Sequence, residues 1–461
     1  MTQTLSRPSG KEDCAGLHRG VLSPIDVLGQ SIAGIAPTAA PAFSVAISFG
    51  LAGNGAWLAY ALATGMMLLT AFSINQFARR SSSPGSLYTY VTMGLGPKAG
   101  FITALSLVAA YVSCSCSAMC SAAMFFNSVL SSCFGNTLEP LIGILLLGAG
   151  IAYIAYRNIQ LSTKTMLWLE GISVLLIVSL FAAVLVLQKV SLVDQGQIGL
   201  SGSTPEGIHL ALILAIFAFV GFESSASLGV EASNPKRTIP RSIVVSTLVS
   251  GFFFVASAYI MVAACRSFSI DLGKCQTPLS ALAAAIHMPA IGVLTSAGAG
   301  ISLFAAALAA INAAARILMT MSHDGLLHSR IGDTHTENRT PHLAVFFCAA
   351  VATCAAVLFT LCGFPVLDIV GWVASFGTYG FIASYFLVSL AAPMFLSKRK
   401  QLRSRDLALS ALSCLTVLYA LGGTIYPVPA APYNFLPYLF VAYLALGLLF
   451  YSLPGKADYC E

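Results

Sequence analysis

Two short stretches carry chemistry that an apolar segment would ordinarily exclude. Ile216 to Gly229 reads IFAFVGFESSASLG, which sets the carboxylate of Glu223 and a cluster of serines inside an apolar run from Leu210 to Val230. An acid at the centre of a membrane helix costs about 2.5–3.5 kcal/mol on insertion scales, so its presence asks for a function. Two roles suit it. Glu223 either contacts the ammonium of a solute or bridges and gates the backbone ends that an interrupted helix leaves open. Ser31 to Thr38 reads SIAGIAPT, where Gly34 and Pro37 make a continuous helix costly: proline removes an amide donor and crowds the preceding turn. A second acid, Glu170, lies in STKTMLWLEGISVLL. It either pairs with Lys164 or Arg157 near an interface or binds and shuttles a proton within the bilayer.

Further candidates are less specific. Ser302, with backbone carbonyls at the first break, could complete a sodium site. Tyr111, Phe219, Phe222 and Trp372 are candidates for the walls and lid of an aromatic pocket at mid-membrane depth. No metal site is expected, because Cys114, Cys116 and Cys120 stand in a run of Ser, Ala and Met with no His, Asp or Glu beside them. Small residues there suit close helix contacts. The His323-Asp324 pair has no third partner at a useful spacing, so neither nucleophilic nor metal catalysis is expected and the chain does not read as an enzyme.

The elements that must position these groups are membrane spans. Of 461 residues 57% are hydrophobic and only 9% charged, against roughly 25% charged in a soluble domain. Apolar runs of about twenty residues, enough to cross a bilayer, recur along the chain. They predict twelve spans, near 25–50, 55–78, 98–130, 138–156, 165–188, 207–230, 240–264, 290–320, 342–362, 366–396, 407–425 and 434–453. The bilayer is therefore the expected partner. With the N-terminus inside, 19 lysines and arginines fall on one face and 3 on the other, leaving Arg316 within a span. That bias predicts cytoplasmic N- and C-termini in a plasma (cell inner) membrane. It also accounts for the net charge of +6 without nucleic acid.

Breaks at corresponding places in spans one and six point to a transporter built from inverted repeats, with its solute at the breaks. The expected divisions are a tail at 1–24, a first repeat at 25–189, a second at 206–396, two added spans at 405–454 and a tail at 455–461.

Four segments carry a family resemblance. QFARRSSSPGSLYTYVTMGLGPKAGF (76–101), IFAFVGFES (216–224), EASNPKRTIPRSI (231–243) and NAAARILMTMSHDGLL (312–327), with Thr340-Pro341 beyond, resemble in order and spacing the signatures of the amino acid/polyamine/organocation superfamily. The resemblance implies an all-α LeuT-type fold of five plus five inverted repeats, twelve transmembrane helices, and discontinuous helices 1 and 6. It also implies a permease, moving amino acids or related amines by alternating access and driven by a proton gradient, by sodium or by exchange, with no cofactor. Carried over onto this sequence, the first break contacts the substrate carboxylate through Ala33, Gly34, Ile35 and Ala36. The second contacts its amino group through Phe219, Gly221, Phe222 and Glu223. Many members have Gly-x-Gly at the first break, whereas this chain has Ala33-Gly34-Ile35-Ala36-Pro37. One amide donor fewer keeps open a substrate without a carboxylate, such as a polyamine. Two alternatives stand beside the permease: a nontransporting amino-acid sensor on the same scaffold, and a twelve-helix facilitator of two parallel halves. The second requires a long central loop, which the short 231–241 segment does not provide. Substrate, coupling ion and oligomeric state are not legible.

Overall fold

The computed structural model describes residues 16–157, 159–187, 193–275, 277–426 and 428–452. Most of the expected N-terminal tail and all of the C-terminal one therefore lie outside the described residues. What is described is almost wholly helical, and nine of its helical segments are long and apolar enough to cross a membrane. Two shorter apolar helices, Pro140–Tyr156 and Pro205–Phe217, accompany them.

The first segment is interrupted. Helix α1 (Pro24–Ile35) opens on a capping box in which Ser23 and Asp26 satisfy each other's backbone amides. It stops at Ile35 because Ala36 turns left-handed, at φ 50°, and Pro37 has no amide to continue the ladder. A π-helical turn at Ala40–Ser44 leads into α2 (Val45–Ala52). Then follow α3 (Ala56–Ala78), the short α4 (Ser86–Leu95), the long α5 (Pro97–Phe134), α6 (Pro140–Tyr156) and α7 (Ile159–Leu187).

After the single turn of α8 (Gln195–Ile198) the same order recurs. Helix α9 (Pro205–Phe217) ends in mid-segment, and residues 218–223 form tight turns before a 3-10 helix at Ser224–Leu228. Next come α10 (Pro235–Ser267), the short α11 (Pro278–Ala285), the long α12 (Pro289–His323), α13 (His342–Leu361) and α14 (Val366–Lys398). Helices α15 (Ser404–Ile425) and α16 (Leu436–Tyr451) complete the chain. Contacts are reciprocal between the two series: α1 packs on α10 as α9 packs on α3, and α7 on α12 as α14 on α5.

Helices α5 and α12 form the centre. In α12, 89% of the most apolar window is enclosed by protein, whereas for the last segment, Tyr433–Tyr451, the figure is 11%, so that helix lies at the rim. Small residues explain the tight centre: Ala305 to Ala310 are all buried, and neighbouring backbones come close. Around the outside, Trp168, Leu175, Val186, Phe252, Leu367 and Leu446 present apolar side chains outward, as a lipid-facing surface requires. The molecule is an integral, multi-pass membrane protein.

Candidate functional site

The two interruptions meet. A Cβ on Gly34 would stand 2.6 Å from the Gly221 carbonyl oxygen, and one on Gly221 would stand 2.7 Å from the Gly34 carbonyl oxygen. Gly221 also adopts φ +92°, a conformation that glycine alone reaches at low cost. The turns at 218–224 close by short-range bonds, Phe219 N–H to Ile216, Val220 to Phe217, Phe222 to Phe219 and Ser224 to Gly221. The Ser224 hydroxyl donates to the Gln30 carbonyl at 3.0 Å, and the Gln30 amide donates to the Ala309 carbonyl at 2.9 Å. The broken segments are thus stitched to each other and to α12.

Above this junction lies a cavity of about 700 Å³. Its floor includes Gly34, Ile35, Ala36, Ala218 and Val220, and its walls come from α5, α12 and α14. Its lining extends to Ile47, Leu210, Val370 and Tyr433, at the end of the bundle opposite the start of α1.

Glu223 does not line this cavity. It is fully buried, and each carboxylate oxygen accepts a tyrosine hydroxyl: Tyr111 of α5 at 2.7 Å and Tyr385 of α14 at 2.5 Å. Cys114 and Phe381, each about one helical turn from those tyrosines, do line the cavity. Ala110, next to Tyr111, lines it too, so the trio stands directly behind the inner wall of the cavity. Glu223 bridges to α5 and α14, whereas α1 is bridged by Ser224 through the Gln30 carbonyl. Two rings brace the arrangement, Phe222 edge-on to Tyr385 at 5.5 Å and Phe219 edge-on to Phe254 at 5.0 Å.

Glu170 is buried against α12, where the Ser302 hydroxyl lies 2.8 and 3.0 Å from its two oxygens. The alternative pairing with Lys164 or Arg157 is not formed. Lys164 is exposed, and Arg157 donates to the Tyr153 hydroxyl at 3.1 and 2.6 Å. Leu303, beside Ser302, lines the cavity, so this acid lies at cavity depth behind α12. Trp372 does not join the pocket: it packs edge-on against Phe364 and Phe359, with ring centroids 5.0 and 6.2 Å away. None of the four aromatic candidates lines the cavity: Tyr111, Phe219 and Phe222 are buried beside the junction, and Trp372 stands apart.

Deeper still, Arg316 and Glu231 form a buried bidentate pair at 2.7 and 2.9 Å. Arg316 lies ten residues beyond Ala306, about 15 Å further along α12. Beside it the chain before α1 pairs with the segment after the second break, with Leu22 N–H to Glu231 O at 2.9 Å and Ser233 N–H to Leu22 O at 2.8 Å. Tyr88 donates to Asp324 at 2.6 Å and Lys398 to the Gly94 carbonyl at 2.9 Å. Asp324 thus joins this latch, whereas Lys236, Arg237 and Arg241 are exposed. A lone arginine in an apolar span needs a partner, and that signal could have identified Arg316. No comparable signal marks Tyr385.

Comparison with known proteins follows the same lines. Residues 26–447 match the amino acid permease family. A low-affinity putrescine importer of Escherichia coli K12 is 27% identical over 313 residues, covering 64% of this chain and 66% of its own length. A branched-chain amino acid permease of Bacillus subtilis is 25% identical, covering 76% of each chain. Cationic amino acid transporter 4 of Homo sapiens is 24% identical over 70% of this chain and 53% of its own. Among solved structures, a Na+-coupled sialic acid symporter in a substrate-bound outward-open state superposes with TM-score 0.54 at 12% identity, over 86% of this chain and 90% of that one. That likeness concerns the fold.

Proposed function

This chain belongs to the amino acid permease family, and from that premise we propose that it is a secondary transporter of amino acids or related amines, working by alternating access. The observation that carries the proposal is the cavity floor: two helix interruptions in backbone contact, with a closed carboxylate–tyrosine cluster beneath. An interrupted helix in mid-membrane exposes amides at the start of one half and carbonyls at the end of the other. The half-helix that begins after Pro37 offers its first amides, reinforced by its dipole, to a carboxylate. Carbonyls at Gly34, Ile35 and the 218–222 turn offer acceptors to an ammonium. On this reading the twelve expected spans stand, with the first and sixth discontinuous, the repeats are residues 25–189 and 206–396, and 405–454 is an addition. The relatives' range, from putrescine to branched-chain and cationic amino acids, supports a small nitrogenous solute without choosing among them.

If the end bearing most lysines and arginines is cytoplasmic, the cavity is outward-facing. Three layers then close the path inward: the Gly34–Gly221 junction, the Glu223 cluster and the Arg316–Glu231 latch. Glu223 acts as a gate that releases Tyr111 and Tyr385 when α5 and α14 move relative to the second break. Glu170 with Ser302 is the coupling candidate, since a carboxyl enclosed beside one hydroxyl can take up or lose a proton as α7 and α12 separate. The deciding experiment is counterflow in proteoliposomes with labelled amino acids and putrescine, with and without imposed proton and sodium gradients. Gradient-driven uptake of at least one solute is the expected result. Binding without any flux would overturn transport in favour of sensing.

A further inference from the structure

The wall of the cavity carries information about its occupant that the breaks do not. Among the described residues that line it, none is Asp, Glu, Lys, Arg or His; the titratable groups there are Cys114, Tyr379 and Tyr433. Around them stand Phe43, Ile213, Phe217, Phe254, Leu303 and Phe381. Asp368 of α14 is exposed beside Tyr433 at the mouth and is not among the lining residues, and the two buried acids closest to the inner wall are both committed elsewhere. Glu223 is sealed beneath the wall with a tyrosine hydroxyl on each oxygen, and Glu170 lies behind α12 with Ser302. Backbone at the breaks can satisfy one carboxylate and one ammonium, but a second positive charge would enter apolar surroundings without a counter-charge. Burying an unpaired ammonium or guanidinium is strongly unfavourable, whereas an aliphatic or aromatic side chain gains contact with such walls. A volume of about 700 Å³ lies within the roughly 300–1,000 Å³ of small-molecule sites and leaves room for a bulky side chain.

We infer that the solute is a neutral amino acid with a bulky apolar side chain, branched, thioether or aromatic, and that diamines and cationic amino acids are excluded by the absence of a wall carboxylate. The inference deepens the transporter reading and rests on it for the α-amino acid portion of the ligand. Each methylene accepted by an apolar pocket is worth about 10–200-fold in discrimination. Leucine, methionine and phenylalanine should therefore outcompete alanine by at least about tenfold.

The test is competition for labelled leucine on the purified protein in nanodiscs, with isoleucine, methionine, phenylalanine, alanine, serine, lysine, arginine and putrescine as competitors, alongside counterflow in proteoliposomes. Lysine, arginine and putrescine are expected to fail at about a hundredfold the concentration at which leucine competes. Ser375 lines the cavity on α14, and Ser375→Asp would supply the missing counter-charge; lysine or putrescine should then compete while leucine weakens. Preference of the unaltered protein for a cationic solute overturns the inference and leaves transport standing. Equal competition by serine, alanine and leucine, or no leucine binding at all, also overturns it. Leucine binding without counterflow upholds the inference and removes the transport reading.

Discussion

At the scale of single residues, Glu223 shows how position converts a costly group into a structural one. Its carboxyl is accommodated inside the bundle because each oxygen accepts a short hydrogen bond, worth about 0.5–1.5 kcal/mol net between neutral groups and about 1.5–3 kcal/mol to a charged one. Glu223→Ala should abolish counterflow, because it removes both links at once. Glu223→Gln keeps an acceptor for one tyrosine and should retain a measurable rate, and Tyr385→Phe, which deletes one donor, should slow counterflow by roughly tenfold to a hundredfold. Equal rates for Glu223→Ala and the unaltered protein would show that the cluster is not a gate. Glu170→Gln separates coupling from translocation: counterflow should persist while accumulation driven by an imposed proton gradient is lost. Sequence alone could nominate Glu223 and Glu170, since acids in apolar runs are conspicuous. It could not choose their partners, because a tyrosine such as Tyr385 in an apolar span resembles every other interior aromatic.

At the scale of elements, the breaks depend on glycine for two separate reasons. Gly34 is needed for proximity and Gly221 for both proximity and a positive φ. Gly34→Ala forces a methyl against a carbonyl oxygen belonging to backbone, which has no flexible end to yield, and Gly221→Ala adds left-handed strain. Both variants should lose transport and melt at lower temperature in a thermal-shift assay. Ala36 offers the opposite case: it already holds φ 50° without being glycine. Ala36→Gly should relieve about 1–2 kcal/mol of left-handed strain, less the entropy that glycine costs in the unfolded chain, and raise the melting temperature slightly. The boundaries of most helices were legible because proline opens nine of those longer than ten residues: α1, α5, α6, α9, α10 and α12 directly at their first residue, and α13, α14 and α16 within one residue of it. The contact between the breaks was not, because Gly34 and Gly221 are 187 positions apart and nothing local links them.

At the scale of the whole molecule, two charge clusters hold the opposite ends. Removing one partner of a buried pair leaves the other desolvated, at a cost of about 3–5 kcal/mol. Arg316→Met should therefore lower the melting temperature sharply, and adding Glu231→Gln should recover part of the loss. At the other end Asp194 joins three connections: it accepts from Arg266 at 2.6 and 2.7 Å, and Arg266 also donates to Asn54. Partial burial tends to raise the Asp194 carboxyl, but hydrogen bonds from Gln197 and the adjacent Arg266 guanidinium hold it below its usual value. A depressed carboxylate stabilises the fold above its unfolded value of about 3.9 and loses that contribution as pH falls through the lower folded value. Hydrogen exchange in residues 193–204 should thus stay protected down to about pH 4 and rise below it. Asp194→Asn should remove that pH dependence.

What the sequence determined by itself follows from local and compositional physics. A bilayer requires about twenty apolar residues per crossing and a satisfied backbone, so hydropathy, proline and glycine fix where the helices run and where two of them break. The motifs at 76–101, 216–224, 231–243 and 312–327 fixed the family. Tertiary structure alone decided which groups face one another. It brought Tyr111 and Tyr385 to Glu223 and Ser302 to Glu170, joined Arg316 to Glu231, and left all four aromatic candidates off the cavity lining. Those pairings depend on helix rotation and on packing between segments far apart in the chain, and almost every face of a membrane helix is apolar. Hydrophobic periodicity, the usual guide to which face turns inward, therefore carries little signal here.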